Sequence, residues 1–425
     1  MIKQKIISFL LVSILVLVCY STISVKSTKE SKELLASATA EKKWTLMFYG
    51  DGDWNGGWPL TDFLIQCGIS STENIDIVAL DDIPDGPAKL WYIDNTSSRI
   101  LLEEKGEVNM GAYETLRDFI NYSKTNYPAE RYILNLWDHG NAWEGACIDI
   151  TNVSGDFDII TMDEMRKALK ESGGVDIIGF SACIMGCIES VYELRNYADV
   201  YIGSEEMHGI GIEWIQVANI LDEYADESTY EISYKIVDLF KENNPYFGKI
   251  WIRIFNFFYA FKLGILPYPP ALTISAIRTD KICDLVNSID NYSILLIDNL
   301  NLLKKTIRKA RLIVDDYPRP MRIMSPMGTQ ADIIHFVNLV DKLKFRLSLP
   351  ELHVISEEIN NNLDQVVINE YHQVGHRNSN GLSIYFPPTN SLYEYKKYSD
   401  DYANCGLDFA EDTHWDEFLT SYLTR

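Results

Sequence analysis

Apolar and polar residues show two different patterns along the first half of the chain, one typical of strands and one typical of helices. Five short runs are rich in β-branched and aromatic residues and are bounded by turn-forming residues, as β-strands are. These runs are residues 44–50, 74–80, 89–94, 131–137 and 175–180. Apolar residues at helical spacing lie between them, at 111–125 and 161–171. Strands that alternate with helices predict an α/β fold in which helices cover both faces of a mostly parallel sheet.

The first 24 residues have the pattern of a secretory signal peptide. Lys3 and Lys5 precede an apolar run that ends at Cys19, and small polar residues follow. The run is shorter than the ~20 residues of a membrane-spanning helix, although continuation to Val25 would permit an uncleaved anchor. Cys19 is a second possible anchor, as a lipid acceptor, but Val18 is bulky where a lipoprotein signal has a small residue. We therefore expect a secreted or cell-surface protein, with membrane contact only if this segment is retained.

The charge of the chain limits the partners that it can bind. Its 38 basic and 61 acidic residues give a formal net charge of −23. Such a surface repels nucleic acid and anionic lipids, and it attracts basic peptides. We therefore expect no nucleic-acid partner.

The cysteines indicate neither a disulfide framework nor a structural metal site. The sequence contains no Cys-x-x-Cys pair, and a large apolar chain needs no disulfide framework for stability. Cys183 and Cys187 are four residues apart on a predicted helix, but no second pair or nearby histidine would complete a ligand set. A free thiol in an exported protein needs another explanation.

Two predicted strands end at residues that can perform chemistry together. Residues 131–137 lead into Asp138, His139 and Gly140, and residues 175–180 lead into Ser181 and Cys183. If these strands are neighbours, His139 and Cys183 emerge at one sheet edge, where an imidazole can deprotonate a thiol. The N–H groups of Gly140 and of Cys183, at a predicted helix start, could hold an oxyanion. Either residue alone is more typical of a structural role, but the two together favour catalysis.

Several segments, in a fixed order, carry a resemblance to a known family. They are WTLMFYGDGDWN from residue 44, LNLWDHG from 134, DIIGFSACIMGCIESVYELRNYADVYIGSEE from 176, LTISAIRTDKI from 272, DIIHFVNLVDKL from 332, NGLSIYFPP from 380 and DTHWDEFLTSYL from 412. They resemble the clostripain-like cysteine peptidases, whose sheet core is of the caspase and gingipain type. The resemblance covers the chain from Trp44 almost to Arg425.

The resemblance implies an α/β/α sandwich that hydrolyses peptide bonds of protein or peptide substrates through an acyl-enzyme. Cys183 would be the nucleophile and His139 the general base and acid, with no required cofactor. Asp138 is given no orienting role, because a carboxylate at a strand end is more typical of solvated or capping positions. The expected boundaries are a signal peptide at 1–24, a flexible leader at 25–43, a caspase-like catalytic core at 44–248 and a C-terminal region that completes the fold at 249–425.

The chain departs from the family pattern at the substrate pocket. The family usually has an aspartate two residues before the nucleophile, where it helps to bind arginine or lysine, but this chain has Ser181. A hydroxyl cannot supply a charge-assisted hydrogen bond to a guanidinium. Glu205, Glu206 and Glu213 lie in the segment where the family lines its pocket and are the candidates to replace that charge. A preference for arginine or lysine is therefore left open.

Two further departures concern maturation and an insertion. No lysine or arginine occurs from Tyr132 through Met165, where relatives are commonly processed, so self-cleavage is not expected there. Residues 249–271 form an aromatic run outside the family pattern, more typical of a buried insertion than of an exposed docking patch.

The acidic loop after the first strand is a candidate calcium site. Asp51 and Asp53 begin a pattern like an EF-hand loop, with Asp62 at its twelfth position. A strand rather than a helix precedes the loop, so a solvated acidic loop is the alternative. Clostripain-type enzymes are often calcium-dependent, which keeps Ca²⁺ among the expectations.

Two other functions remain open. Gly179 to Cys183 is one residue short of the nucleophile elbow of a serine hydrolase, with Ser181 as nucleophile and a base among His372, His376 and His414. The chain could instead be a non-catalytic binding or adhesion protein on the same fold.

Overall fold

The computed structural model describes residues 42–53, 59–66, 68–84, 86–151, 157–208, 213–243, 272–317, 329–344, 347–389 and 402–424. The strands in these residues are β1 (Lys42–Asp51), β2 (Ile75–Ile83), β3 (Gly86–Ile93), β4 (Arg99–Gly106), β5 (Ala129–Trp137), β6 (Ala146–Asp149), β7 (Asp158–Ile160), β8 (Val175–Ser181), β9 (Ala198–Gly203), β10 (Thr273–Arg278), β11 (Asp316–Tyr317), β12 (Gln330–Asp332), β13 (Val367–His372) and β14 (Ser383–Tyr385). The helices are α1 (Leu60–Gln66), α2 (Tyr113–Asn126), α3 (Met162–Ser172), α4 (Ile188–Leu194), α5 (Glu213–Glu223), α6 (Thr229–Asn243), α7 (Ile282–Asp298), α8 (Leu300–Ile313), α9 (Ile333–Leu343), α10 (Pro350–Val366), α11 (Asp408–Asp412) and α12 (Trp415–Thr424).

A nine-stranded sheet organises the fold, in the order β13-β10-β9-β8-β5-β1-β2-β3-β4. The strands β9, β8, β5, β1 and β2 are parallel, and antiparallel pairs flank them on both sides. The predicted α/β sandwich with a mostly parallel sheet is confirmed. The run predicted at 89–94 belongs to β3, which is antiparallel to β2, because the connection between the two strands is too short for a parallel crossover.

The C-terminal region contributes strands to the large sheet and also forms a small sheet. Its strands β10 and β13 pair with each other, and β10 pairs with β9. Its remaining strands form a small sheet in the order β11-β12-β14. The insertion expected at residues 249–271, the signal peptide and most of the leader lie outside the described residues. No helix within the described residues is both long and apolar enough to cross a bilayer.

Two hydrophobic cores lie on opposite faces of the large sheet because side chains alternate along each strand. On β5, Leu134 and Leu136 pack into the core beneath α2, α3 and the C-terminal helices, whereas Ile133 and Trp137 pack into the core beneath α1, α5 and α6. The predicted helices at 111–125 and 161–171 correspond to α2 and α3. Helices packed on both faces hold the strands in place, and the candidate site lies at the ends of these strands.

Candidate active site

The strands that carry the predicted dyad are neighbours. β5 and β8 pair in parallel, and Trp137 lies opposite Ser181 in this register. His139 and Cys183 therefore each follow a paired residue by two positions, at the same edge of the sheet. This placement matches the assumption on which the predicted dyad depends.

The two loops touch through Gly140. A methyl group on Gly140 would lie 2.2 Å from the carbonyl oxygen of Cys183 and 2.9 Å from Cγ of Met185. No side chain fits into that space, so the close approach requires glycine. The predicted role of Gly140, a close backbone approach to the nucleophile, agrees with this geometry.

A hairpin holds the histidine loop from behind. The N–H of Cys147 donates to the carbonyl oxygen of His139 at 3.1 Å. Oδ2 of Asp138 accepts a hydrogen bond from the N–H of Ile148 at 2.6 Å. The carboxylate of Asp138 is buried rather than solvated, and it stabilises the hairpin.

The predicted helix start at Cys183 is wrong. Helix α4 begins at Ile188, with Cys187 in extended conformation before it, so Cys183 lies in a turn. The two cysteines are not on one helix, and Sγ of Cys187 instead contacts the hydroxyl of Ser190 at 3.0 Å. Contact with a distant segment keeps the residues before Ile188 out of the helix. Gly186 packs so tightly against the backbone of Ser204 that an added methyl would lie 2.7 Å from the carbonyl carbon of Ser204.

Ile184, directly after the candidate nucleophile, has a strained backbone. Its φ is +53°, which is rare for a β-branched residue and costs about 1–3 kcal/mol. Its N–H donates to the carbonyl oxygen of Glu206 at 3.0 Å, which helps to hold this conformation.

The candidate nucleophile and base are both uncharged at rest. Burial, with smaller contributions from the carboxylates of Glu206 and Asp138, raises the pKa of Cys183 to about 11, and the hydrogen bond to the carbonyl oxygen of His208 offsets part of the rise. Sγ of Cys183 lies 3.7 Å from that carbonyl oxygen. Burial lowers the pKa of His139 below its ordinary value. Burial thus favours the uncharged imidazole at neutral pH.

Ser181 is paired inside the sheet. Its hydroxyl donates to Oδ1 of Asn135 on β5 at 3.1 Å, and both residues are buried. Nδ2 of Asn135 is buried without a hydrogen-bond partner among the described residues. Sequence reasoning missed Asn135, although a lone amide within the apolar run of residues 131–137 was a visible signal.

Two of the three glutamates predicted to line a substrate pocket are buried against the C-terminal segment. The carboxylate of Glu205 is buried and accepts hydrogen bonds from the N–H of Gly381, at 3.0 Å, and from the hydroxyl of Ser379. Glu206 is also buried and faces His376. The carboxyl groups of Glu205 and Glu206, which were expected to face a substrate, thus bind residues of the C-terminal segment instead. Glu213 is the first residue of α5, and its side chain lies outside the description.

The serine hydrolase alternative is not supported by the partners of its candidate residues. The hydroxyl of Ser181 is committed to Asn135. The candidate bases pair with carboxylates instead: His372 with Glu370, His376 with Glu206 and His414 with Asp290.

Comparison with known proteins identifies the family to which this site belongs. The model of the clostripain family, peptidase family C11, matches residues 64–422. The chain belongs to the clostripain family. Clostripain of Hathewaya histolytica is 28% identical over an alignment that covers 39% of each chain. The match thus spans well under half the length of that relative.

Solved structures of clostripain-family proteins share the fold. An inactive zymogen C11 protease from Parabacteroides distasonis superposes with a TM-score of 0.61 at 19% identity, over 88% of this chain and 99% of that one. A secreted C11 cysteine protease from Bacteroides thetaiotaomicron, in complex with an irreversible peptide inhibitor, gives 0.60 at 16% identity, over 88% and 100%. These likenesses confirm the fold predicted from the resemblance.

The acidic loop of this clostripain-family chain gathers buried carboxylates. Oδ2 of Asp53 accepts from the N–H of Thr151 at 2.8 Å, and Oδ1 of Asp51 accepts from the N–H of Asp53 at 3.1 Å. One oxygen each of Asp51, Asp53 and Asp82 has no partner in the described residues. Burial, together with the neighbouring carboxylates of Glu107 and Asp53, raises the pKa of Asp82 to about 8.

The residue expected at the twelfth position of an EF-hand loop is engaged by a cation of the protein. Asp62, the expected twelfth ligand, forms an ion pair with Arg99. Within the described residues, no group of three or more histidine, cysteine or acidic side chains is placed to hold a metal ion. The unpartnered oxygens of Asp51 and Asp53 are hard ligands of the type that Ca²⁺ prefers, so calcium binding at this loop stays a prediction.

Helix α4 buries a carboxylate whose charge should make stability depend on pH. Burial raises the pKa of Glu189 from 4.5 to about 7, although Oε1 accepts from the N–H of Tyr385 at 2.7 Å and from the hydroxyl of Tyr402. Between these two pH values the folded state binds the proton more tightly than the unfolded state, so this group's contribution to stability declines as pH rises from about 4.5 to about 7.

We expect Glu189→Gln to remove part of that decline. The amide keeps an acceptor for both hydrogen bonds and carries no charge, so the variant should melt higher than the wild type at pH 8 and similarly at pH 4.5. Thermal melts across this range measure the effect, with exposed Glu114→Gln as control. If the melting temperature of Glu189→Gln were lower than that of the wild type by the same amount at pH 4.5 and at pH 8, the charge of Glu189 would not reduce stability, and the expectation would be contradicted.

Proposed function

We propose that the protein is an exported cysteine endopeptidase that hydrolyses peptide bonds through an acyl-enzyme on Cys183, with His139 as general base and acid. The contact between the loops of Gly140 and Cys183 carries this proposal, since it brings the two strand ends together. Family membership and a fold shared with C11 proteases support it. Export rests on the signal-peptide pattern of residues 1–24 and on a family relative described as secreted.

The proposed reaction proceeds in two steps. His139 accepts the proton of the Cys183 thiol as sulfur attacks the substrate carbonyl carbon, and the N–H groups of Gly140 and Cys183 donate to the oxyanion. His139 then donates this proton to the leaving amine, and the carbon–nitrogen bond breaks to give a thioester. A water molecule, deprotonated by His139, attacks the thioester, releases the carboxylic acid and returns the proton to sulfur.

The uncharged resting pair has a consequence for this mechanism. The raised pKa of Cys183 and the lowered pKa of His139 both disfavour a thiolate–imidazolium pair in the free protein. Proton transfer is therefore coupled to attack on the bound substrate, where donors to the developing oxyanion make it favourable.

Peptide hydrolysis by the purified protein tests the proposal. A positional-scanning peptide library should yield cleavage products, and the acid limb of kcat/KM should have an apparent pKa below 6.5, set by His139. Absence of any cleavage under reducing conditions would contradict the proposal.

The alternative that the sequence left open is a protein that binds partners without catalysis. A thiol that stays protonated is less reactive toward electrophiles. A thiol-directed peptide probe separates the two functions, because only a catalytic site accelerates the reaction of Cys183 above the rate of an ordinary exposed cysteine.

Specificity is proposed to be altered at the pocket for the residue that precedes the scissile bond. Position 181 carries a hydroxyl, and Glu205 and Glu206 are engaged by the C-terminal segment. The described residues around Ser181 thus offer an amide and a hydroxyl rather than a carboxylate. We propose that any preference for arginine or lysine is weak.

Ser181→Asp should raise the preference for arginine. A new carboxylate would be within reach of Nδ2 of Asn135 and could bind a guanidinium, and such charge-assisted bonds contribute ~1.5–3 kcal/mol, or about tenfold to a hundredfold in relative kcat/KM. Ratios of kcat/KM for matched arginine and norleucine substrates measure the effect. Ser181→Asn, which is similar in size and uncharged, is the control. A strong arginine preference already present in the wild type would contradict the altered pocket.

We expect the purified protein to remain one chain between residues 132 and 165. This interval contains no lysine or arginine, and β6 and β7 pair with each other within it. Intact-mass measurement after prolonged incubation checks this expectation, with catalytically dead Cys183→Ala incubated in parallel. A cut in this interval that occurs only in the active protein would show that cleavage does not require a basic residue.

A further inference from the structure

The turn that contains Cys183, here called the nucleophile turn, packs against the loop that follows β9. We call this loop the wall of the nucleophile turn. The N–H of Ile184 donates to the carbonyl oxygen of Glu206 at 3.0 Å, and the N–H of Gly186 donates to that of Ser204 at 2.7 Å. Sγ of Cys183 lies against the carbonyl oxygen of His208. The position of residues 204–208 therefore sets the position of the thiol.

A distant histidine fixes this wall from the other side. Nε2 of His376 donates to Oε2 of Glu206 at 2.6 Å, across 170 positions of sequence. Oε1 of Glu206 accepts from the N–H of Met207 at 2.7 Å, so both carboxylate oxygens are used. The ring of His376 packs on that of Tyr317 with centroids 4.7 Å apart, which leaves the imidazole little freedom to rotate.

The carboxylate of Glu206 also acts on the nucleophile through its charge. It is one of two carboxylates, with Asp138, whose field disfavours the thiolate of Cys183. Glu205 is its natural comparison, because it is equally buried and also ties the loop to the C-terminal segment, through Gly381. Unlike Glu206, Glu205 is held in its uncharged form, because burial and the neighbouring Asp332 raise its pKa well above the ordinary value.

We propose that Glu206 and His376 are a positioning pair for the reaction, which holds the wall of the nucleophile turn and sets the charge around Cys183. The pair does not touch the substrate and acts through the backbone of residues 204–208. The proposal rests on the proposed function of Cys183 as nucleophile. It assigns part of the catalytic machinery to a C-terminal segment that contains neither member of the dyad.

The test compares Glu206→Gln with Glu205→Gln in the full chain. Each variant replaces one buried carboxyl group with an amide and keeps the shape of the side chain. Two readouts are measured: the pH midpoint of Cys183 alkylation by iodoacetamide, followed on the Cys183 peptide by mass spectrometry, and kcat and KM for one peptide substrate. Circular dichroism and thermal melts establish that each variant is folded.

Glu206→Gln should lower the alkylation midpoint and reduce kcat roughly tenfold to a hundredfold, with KM changed much less, because small displacements of a nucleophile cost this much. Glu205→Gln should leave the midpoint at the wild-type value. Equal midpoints in all three proteins, or equal shifts in both variants, would overturn the proposal. Alkylation needs no peptidase activity, so this readout still decides the proposal if the wild type proves inactive.

Glu206→Asp keeps the inference testable if Glu206→Gln does not fold. The shorter carboxylate retains the charge but cannot reach His376 without moving the loop. We expect a midpoint near the wild-type value together with a loss of kcat. A kcat within about twofold of the wild type in folded Glu206→Asp would show that the contact with His376 does not position the nucleophile.

Discussion

Replacing Cys183 with alanine should reduce peptide hydrolysis by roughly three to six orders of magnitude, because the acyl-enzyme cannot form without the thiol. The fold should survive, since the hydrogen bond of Sγ of Cys183 to the carbonyl oxygen of His208 is weak. Rates with a fluorogenic peptide and thermal melts of the same preparation measure the two quantities.

His139→Ala should cause a loss of the same order, because without the imidazole a thiol of raised pKa keeps its proton at neutral pH. The combination of both changes should cost little more than either one alone, as expected of groups that act as a unit.

Cys187→Ala is the matched control for Cys183→Ala. Cys187 is fully buried and contacts Ser190 just before α4, so its removal should affect stability rather than the chemical step. Activity that is unchanged in Cys183→Ala, or lost to the same degree in folded Cys187→Ala, would contradict the assignment of the nucleophile.

Gly140→Ala should have the second largest effect. The added methyl would lie 2.2 Å from the backbone carbonyl oxygen of Cys183, so the histidine loop and the nucleophile turn must separate. Forcing extra volume into a packed site costs about 1–3 kcal/mol of stability. A displacement of the order of 1 Å at the reacting groups costs roughly a hundredfold in rate. We therefore expect kcat/KM to fall about a hundredfold and the melting temperature to fall with it.

Gly86→Ala provides the control for the glycine substitution. Its added methyl would lie at an ordinary 3.4 Å from the flexible end of the Ile83 side chain. This variant should keep wild-type kcat/KM. Wild-type activity in Gly140→Ala would show that the two loops are not held in contact when the protein is active.

Much of the site was predictable from local patterns. The five strand runs were visible because buried parallel strands are continuous apolar segments, and the chemistry at their ends follows from the geometry of such sheets. His139, Gly140 and Cys183 could thus be placed at one edge from sequence. That inference required the two strands to be neighbours in the sheet, and β5 and β8 do pair in parallel.

Other features depend on contacts between distant segments, which sequence patterns do not reveal. The apolar residues after Cys183 resemble a helix start, but the positive φ of Ile184 and the packing of Gly186 on Ser204 delay the helix to Ile188. Glu205 and Glu206 resemble an exposed acidic pair after a strand. Their burial arises from hydrogen bonds to the C-terminal segment, which lies 170 or more positions away.

The most direct test of the central claim is to locate the covalent adduct of a peptidyl acyloxymethyl ketone. A thiolate that attacks this probe displaces its carboxylate and forms a stable thioether, which peptide mass spectrometry assigns to one residue. We predict one adduct per chain, on Cys183, that persists in Ser181→Ala and disappears in Cys183→Ala and His139→Ala. Labelling of the exposed Cys283 or of Cys405 in place of Cys183, or labelling that survives in Cys183→Ala, would contradict the account.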